Sequence, residues 1–478
     1  MDDGKAFRLA TLLRPLLGEG DANQAVATGI RSLILDGRLV VGARVASERD
    51  LSLSLGVSRS TVSTAYRRLR DEGYLVSDHG GGTRTASPVV PSTRPDDAAG
   101  PAEELLDLTI AAMQAPSSMP EIVLAAAAEL PALMAGHGLH PLGLPRLRDA
   151  IAAHLTDGGL RTHRDQILVT QGALHGWDLL LRTLTSPGDR VLIESPSYPA
   201  VVDAASAHRV RIAPIGVSAA GWDLSAVRPG RGAAAAVLAH LTPDHQNPTG
   251  FHAPAAARRE LLAALPPTTL VIADETFRDL TIDEVARPPR PLGHYGASDR
   301  VITVGSLSKS VWAGLRIGWL RASPDLVRRI ATGRTSQDLA TPVLEQLVAE
   351  QVLARMDGLL AERGVLLRQR RARLLAALAE HAPQWQPSRP AGGLVTWVDL
   401  GPGASSTRLA QAARQHGVRV TPGTRFTFRG THDRFLRLPY TLPEDQLVSA
   451  VERLATAASS ATGRGGSMRS TAPLVWTA

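Results

Sequence analysis

The chain has 478 residues, 44% of them apolar, which suffices for more than one large core and rules out a wholly disordered polypeptide. It contains no cysteine, so disulfides, thiolate metal sites and thiol nucleophiles are excluded, and no metal centre is expected. Its 52 basic and 45 acidic residues leave a net charge of +7, too diffuse to imply a nucleic-acid partner by itself.

The opening MDDGKAFRLA is acidic where a secretory signal is basic and then apolar, and no apolar run approaches the roughly 20 residues of a membrane span. A soluble cytoplasmic protein with no membrane partner is therefore expected. Val26, Ile30, Leu33 and Ile34 fall on one helical face, which Asp36-Gly37 closes. Ser47, with Asp50 three residues on, reads as the N-cap and capping box of a second helix. Within it Leu51, Leu53 and Leu55 recur at period two, a strand signal overruled by the cap before them and by Gly56 after. A third helix starts at Ser58 and buries Val62, Ala65, Tyr66 and Leu69 at i, i+3, i+4 and i+7. Its first turn, Ser58-Arg59-Ser60-Thr61, offers three hydroxyls and a guanidinium at a helix N-terminus, groups that hold phosphates and reach base edges. YLVSDHGGGTRTA then reads as a hairpin whose tip, Gly80 to Gly82, admits close approach to a duplex. Arg67, Arg68 and Arg70 read as a solvated face.

Residues 87–104 are rich in proline and poor in packing groups, hence a linker. Beyond it seven β-rich runs (ILVTQ, RVLIES, VRIAPI, AAVLAHL, TLVIAD, RVITVGS and RIGWLR) alternate with helical stretches, predicting an α/β domain on a mainly parallel seven-stranded sheet. From Thr341 to Ala379 the pattern is helical. A small α+β domain containing GGLVTWVDL and GVRVTPGTRF follows, and from residue 457 the composition predicts a disordered tail.

Punctuated by S-E-R, G-V-S-R-x-T-V, R-L-x-x-E-G and H-G-x-G-T, residues 29 to 83 resemble the winged helix-turn-helix of GntR-type bacterial regulators. The resemblance assigns residues 1–86 to a DNA-binding domain. It implies that Arg49, Ser58, Arg59, Ser60 and Thr61, with His79 and Gly80 of the wing, meet double-stranded operator DNA.

Only two of the basic residues, Lys5 and Lys309, are lysine. An amine that must attack an aldehyde has to be lysine, because arginine keeps its proton. Lys309 lies in VGSLSKSVWAGLRIGW, flanked by Ser306, Ser308 and Arg316, a set suited to a phosphate dianion. Asp274 ends TLVIAD, where an acid could hold a pyridinium proton. Asn247, in HLTPDHQNPTG, offers an amide, and TQGALHG presents backbone N–H groups at a helix start.

Together, in this order, these motifs resemble the fold-type I pyridoxal 5′-phosphate (PLP) enzymes, the aminotransferase family, over residues 105–456. The resemblance implies a Schiff base between Lys309 and PLP, Asp274 at the ring nitrogen and Asn247 at the ring O3′. It places Ser306, Ser308, Arg316 and the backbone of Ala173 and Leu174 on the phosphate, Tyr198 against the ring, and Arg437 on a substrate carboxylate, with Arg434 as its register rival. Two aromatic residues of the family pattern are missing. Asp274 is followed by Glu275, Thr276 and Phe277, without the usual tyrosine, and Gly138-Leu139 stands where a tyrosine often crosses a dimer interface.

A GntR-like reader joined to an aminotransferase-like domain resembles the MocR subfamily of transcription regulators. That implies a homodimer sensing PLP or an amine or amino acid. The alternatives are an active aminotransferase with an accessory DNA-binding module, and a constitutive repressor with a vestigial PLP fold.

Overall fold

The structure is a computed structural model that describes residues 3–14, 22–35, 39, 43–71, 74–78, 82–86, 105–227, 236–283, 289–296, 299–427 and 431–462. The chain divides into two compact units, residues 1–104 with 463–478, and residues 105–462. The expected linker, the helix end at Asp36-Gly37, and the wing residues His79 and Gly80 lie outside the described residues.

The N-terminal unit contains helices Asp3–Leu13, Ala22–Leu35, Glu48–Leu55 and Arg59–Asp71, followed by an antiparallel hairpin of Leu75–Asp78 with Gly82–Thr85. Val26, Ile30, Leu33, Ile34, Val62, Ala65, Tyr66 and Leu69 are all buried in one core. The capping argument against a strand at Leu51–Leu55 holds. Ser47 accepts from the Asp50 N–H at 3.1 Å, and Gly56 ends the helix in the left-handed conformation, φ 73°. Leu51 is buried while Leu53 is exposed, as a helix requires and an alternating strand would not. The helix Asp3–Leu13 was not anticipated. It places Ala6, Leu9, Ala10 and Leu13 in the same core, at helical spacing.

In the second unit all seven predicted strands form, in the spatial order Ile167–Thr170, Gly318–Arg321, Val301–Ser306, Leu270–Asp274, Leu238–Leu241, Arg190–Ser195, Arg211–Ser218. An eighth, two-residue edge strand, Gly221–Trp222, corrects the expected count of seven. It is a hairpin return too short to show a period. Gly318–Arg321 runs antiparallel to both neighbours, and the five central strands are parallel. The strands read as continuous apolar runs because both faces are covered. Leu168, Ile272 and Leu320 pack against helices Ala173–Leu184 and Pro324–Arg334, whereas Val271 and Ala273 face the opposite core with Leu261 and Leu262.

The smaller lobe combines an antiparallel sheet (Gln386–Pro387, Val395–Asp399, Phe435–Pro439, Thr421–Pro422) with helices Met356–His381, Ser406–Gln415 and Glu444–Thr462. The disorder expected from residue 457 is corrected as far as Thr462, because the last helix continues and Ala457 is buried in its core. The composition of that stretch is small and polar, but alanine and serine suit a helix that packs closely.

Candidate functional site

In the N-terminal unit the buried face of Arg59–Asp71 leaves its first turn outside. Ser58, Arg59 and Ser60 are exposed and Thr61 is half-buried. The Ser58 hydroxyl accepts from the Thr61 N–H at 3.1 Å and lies 2.8 and 2.7 Å from the Ser60 and Thr61 hydroxyls. Arg49 is exposed on the preceding helix. Arg70, read as solvated, instead reaches the Ser77 hydroxyl at 3.3 Å and Glu48 at 3.8 Å, joining helix to hairpin.

In the large unit the carboxyl ends of the central strands converge. Ser306 ends its strand and caps the one-turn helix Leu307–Ser310 that carries Lys309. The Lys309 Nζ donates to the Ala111 carbonyl at 2.9 Å. Burial, with Arg437 beside it, pushes this amine from 10.5 down to about 8, against the opposing pull of Asp274. The neutral, nucleophilic form is thereby accessible near neutral pH. Asp274, on the neighbouring strand, accepts from the Thr276 N–H at 3.1 Å, and its other oxygen lies 3.9 Å from His240 Nε2. His240 is buried, its ring packs edge-on against Trp177 at 4.8 Å, and burial holds its pKa below the usual histidine range. Sequence reasoning missed this histidine, although a lone polar residue inside the run LAHL was a usable signal.

Asn247 is buried, and its Oδ1 has no hydrogen-bond partner among the described residues. The buried Ser308 hydroxyl is likewise unpartnered among them. Gly172 precedes the helix Ala173–Leu184 with φ 87°, and a Cβ there would lie 3.1 Å from Arg316 Nη2. Arg316 donates to the Gln171 carbonyl at 2.9 Å, so its guanidinium lies against the turn that leads into Ala173 and Leu174. The Ser306 hydroxyl donates to the Ile317 carbonyl at 3.0 Å and accepts from the Ser308 N–H at 3.1 Å, which shapes the turn that carries Lys309.

Arg437 is 4% exposed, and its guanidinium lies 5.1 Å over the Phe426 ring and donates to the Thr109 carbonyl. Burial pushes it from 12.5 down to about 10, opposed by the charges of Tyr198 and Asp107. Tyr198 is half-exposed at the start of the helix Pro199–Ala207, within electrostatic reach of Arg437. The rival, Arg434, is half-exposed and pairs with Asp399 at 2.6 Å. Arg437 lies within the strand Phe435–Pro439, whereas Arg434 sits in the turn that precedes it. Phe277 is core, and Leu139 is exposed. Neither supplies a hydroxyl.

Residues 104–454 match the aminotransferase class I and II family. The chain belongs to that family. Residues 22–84 match the bacterial regulatory proteins of the gntR family, and the two together are the MocR arrangement. The chain is 33% identical to the HTH-type pyridoxine biosynthesis transcriptional regulator PdxR of Corynebacterium glutamicum, over 64% of this chain and 67% of that one. It is 26% identical to the HTH-type transcriptional regulator YdfD of Bacillus subtilis, over 86% and 90% respectively. The α-aminoadipate aminotransferase LysN of Thermus thermophilus, solved with N-(5′-phosphopyridoxyl)-L-leucine, is 27% identical, with a TM-score of 0.68 over 75% of this chain and 92% of that one.

Aminotransferases of this class depend on PLP, and the aminotransferase-like site here has the chemistry to fit that group. It presents a buried amine of lowered basicity, an unpartnered buried hydroxyl, a buried Asn247 amide whose N–H groups can donate, and an arginine against a glycine cradle. Lys309, Asp274, Asn247, Ser308, Arg316 and the backbone at Ala173 and Leu174 would hold it. When bound, PLP supplies an electrophilic aldehyde and an electron-withdrawing ring.

Proposed function

We propose that this aminotransferase-family chain is a transcription regulator that binds operator DNA through its winged helix and reports, through the Lys309 site, the presence of PLP or of an amine or amino acid that engages it. The observation that carries this reading is the buried Lys309 amine, one of only two lysines in the chain, set among Asp274, Arg437 and Arg316 in a polypeptide that also carries a GntR module. Arg59 and the Ser58-Ser60-Thr61 hydroxyls approach DNA, with Arg49 and the wing residues His79 and Gly80. In the large unit Lys309 would hold the cofactor's aldehyde carbon, Asp274 its ring-nitrogen proton, and Arg437 a ligand carboxylate. Two copies act as a homodimer in the cytoplasm and place their readers on paired half-sites. A ligand shifts DNA binding only as far as it prefers one arrangement of the dimer over another.

The test is a titration of the full chain on DNA from its own upstream region with PLP and then candidate amines, following fluorescence anisotropy and visible absorbance together. A visible band that Lys309→Ala abolishes, accompanied by a change in DNA affinity, is expected. Protein that develops no band with added PLP refutes the cofactor assignment.

A second reading, an active aminotransferase, is favoured by the buried Arg437 beside Lys309. Steady multiple-turnover amino transfer would establish it.

A further inference from the structure

Two of the three cationic side chains assigned to a ligand, Arg437 and Lys309, are already engaged by one short segment. Residues 106–108 are fixed to the small lobe by backbone bonds, Leu106 N–H to Gly417 at 2.9 Å and Leu108 N–H to Arg419 at 2.8 Å. The next backbone anchor is the Met119 N–H on the Pro116 carbonyl, 3.0 Å, where a helix begins. Between them, among the described residues, no backbone–backbone bond joins residues 109–115 to another element. Side chains hold this stretch by its carbonyls. Arg437 donates to Thr109, Thr441 Oγ1 to Ile110 at 3.3 Å, Lys309 to Ala111 at 2.9 Å, and Arg363 to Gln114. Met113 turns inward and is buried, against Arg370 at 3.7 Å from its sulfur.

We propose that residues 109–115 form a strap whose Thr109 and Ala111 carbonyls stand in for a ligand on Arg437 and Lys309. It is released when a ligand takes those cations, so that occupancy of the site is reported by exposure of the strap. The proposal rests on the reading of the site given above. A ligand carboxylate makes charge-assisted bonds to Arg437 that a neutral peptide carbonyl cannot match. A carbonyl ligand that bonds to the neutral Lys309 amine removes both its protons, which leave with the carbonyl oxygen as water, so Ala111 loses its donor. The strap then keeps only Thr441 and Arg363 on its carbonyls. Because residues 106–108 stay bonded to the small lobe, the release is confined to the seven strap residues, which span at most about 25 Å when fully extended.

The absence of cysteine makes a clean probe available. In the full chain, Met113→Cys places a single thiol beneath the strap, and its modification by an aromatic disulfide reagent reports exposure. Slow reaction is expected without ligand, and reaction about tenfold faster or more once PLP and succinate, a carboxylate with no amine, are added together, since burial must be lost for the reagent to enter. In Lys309→Ala and Arg437→Gln backgrounds the thiol should react fast with no PLP present. A fluorophore on Ile110→Cys, already exposed, gives the same comparison if Met113→Cys disturbs packing. An unchanged rate with PLP and succinate both present, while the visible band shows bound cofactor, overturns the strap, as do backgrounds that protect the thiol as well as the parent does. No band at all defeats the cofactor reading instead, and the two ligand-free backgrounds still decide the strap.

Discussion

The lowered basicity of Lys309 has a measurable consequence. A fall from 10.5 to about 8 favours the neutral amine by about 3 kcal/mol. At pH 7.4 about one-fifth of the amine is then neutral, against about one part in a thousand for an unshifted lysine. Capture of PLP by ligand-free protein, followed by stopped-flow absorbance, should therefore accelerate with pH, reach half its plateau near 8 and level off above. A small alkylamine run in parallel corrects for titration of the aldehyde itself. The neighbours fix the direction of two further shifts. Arg437→Gln removes a cation that disfavours the protonated amine, so the midpoint should rise. Asp274→Asn removes the anion that favours it, so the midpoint should fall. A wild-type midpoint above 10, or one that neither substitution moves, would refute the electrostatic account of the site.

Three other outcomes are expected. Arg59→Ala should weaken operator binding by about 1–3 kcal/mol if the side chain contacts a base, with the PLP band unchanged; anisotropy at fixed salt measures it. Gly172→Ala forces a Cβ onto a residue with φ 87° and to 3.1 Å from Arg316, at a cost of about 1–3 kcal/mol. It should raise the PLP dissociation constant by tenfold or more, and a wild-type constant would remove the glycine cradle from the phosphate site. Tyr66→Phe deletes the buried hydroxyl that donates to the Ala46 carbonyl at 2.8 Å. That should lower the stability of the N-terminal unit by about 1–2 kcal/mol in urea unfolding, without changing PLP capture.

Much of the local structure was legible because its determinants are local. The cap at Ser47, the i, i+3, i+4, i+7 face of Val62 to Leu69 and the seven apolar runs each carry their signal within a dozen residues. The helix Asp3–Leu13 escaped notice although its spacing was present, because no cap or motif marked its start. The bond from the Ser306 hydroxyl to the Ile317 carbonyl, eleven residues on, is one that no rule of spacing announces.

The sequence by itself determined the order of modules, the strands that end in Asp274 and Ser306, and the presence of one lysine among groups that give its amine a task. The tertiary structure alone decided which groups share an environment. Arg437 and Arg434 have nearly identical local contexts, and only the packing of Phe435–Pro439 against its neighbours buries the first and exposes the second. The carbonyls of Thr109 and Ala111 lie 328 and 198 residues from the cations they bind. A carbonyl carries no side-chain identity for a sequence to display. Its role exists only once the chain has folded back across the strand ends.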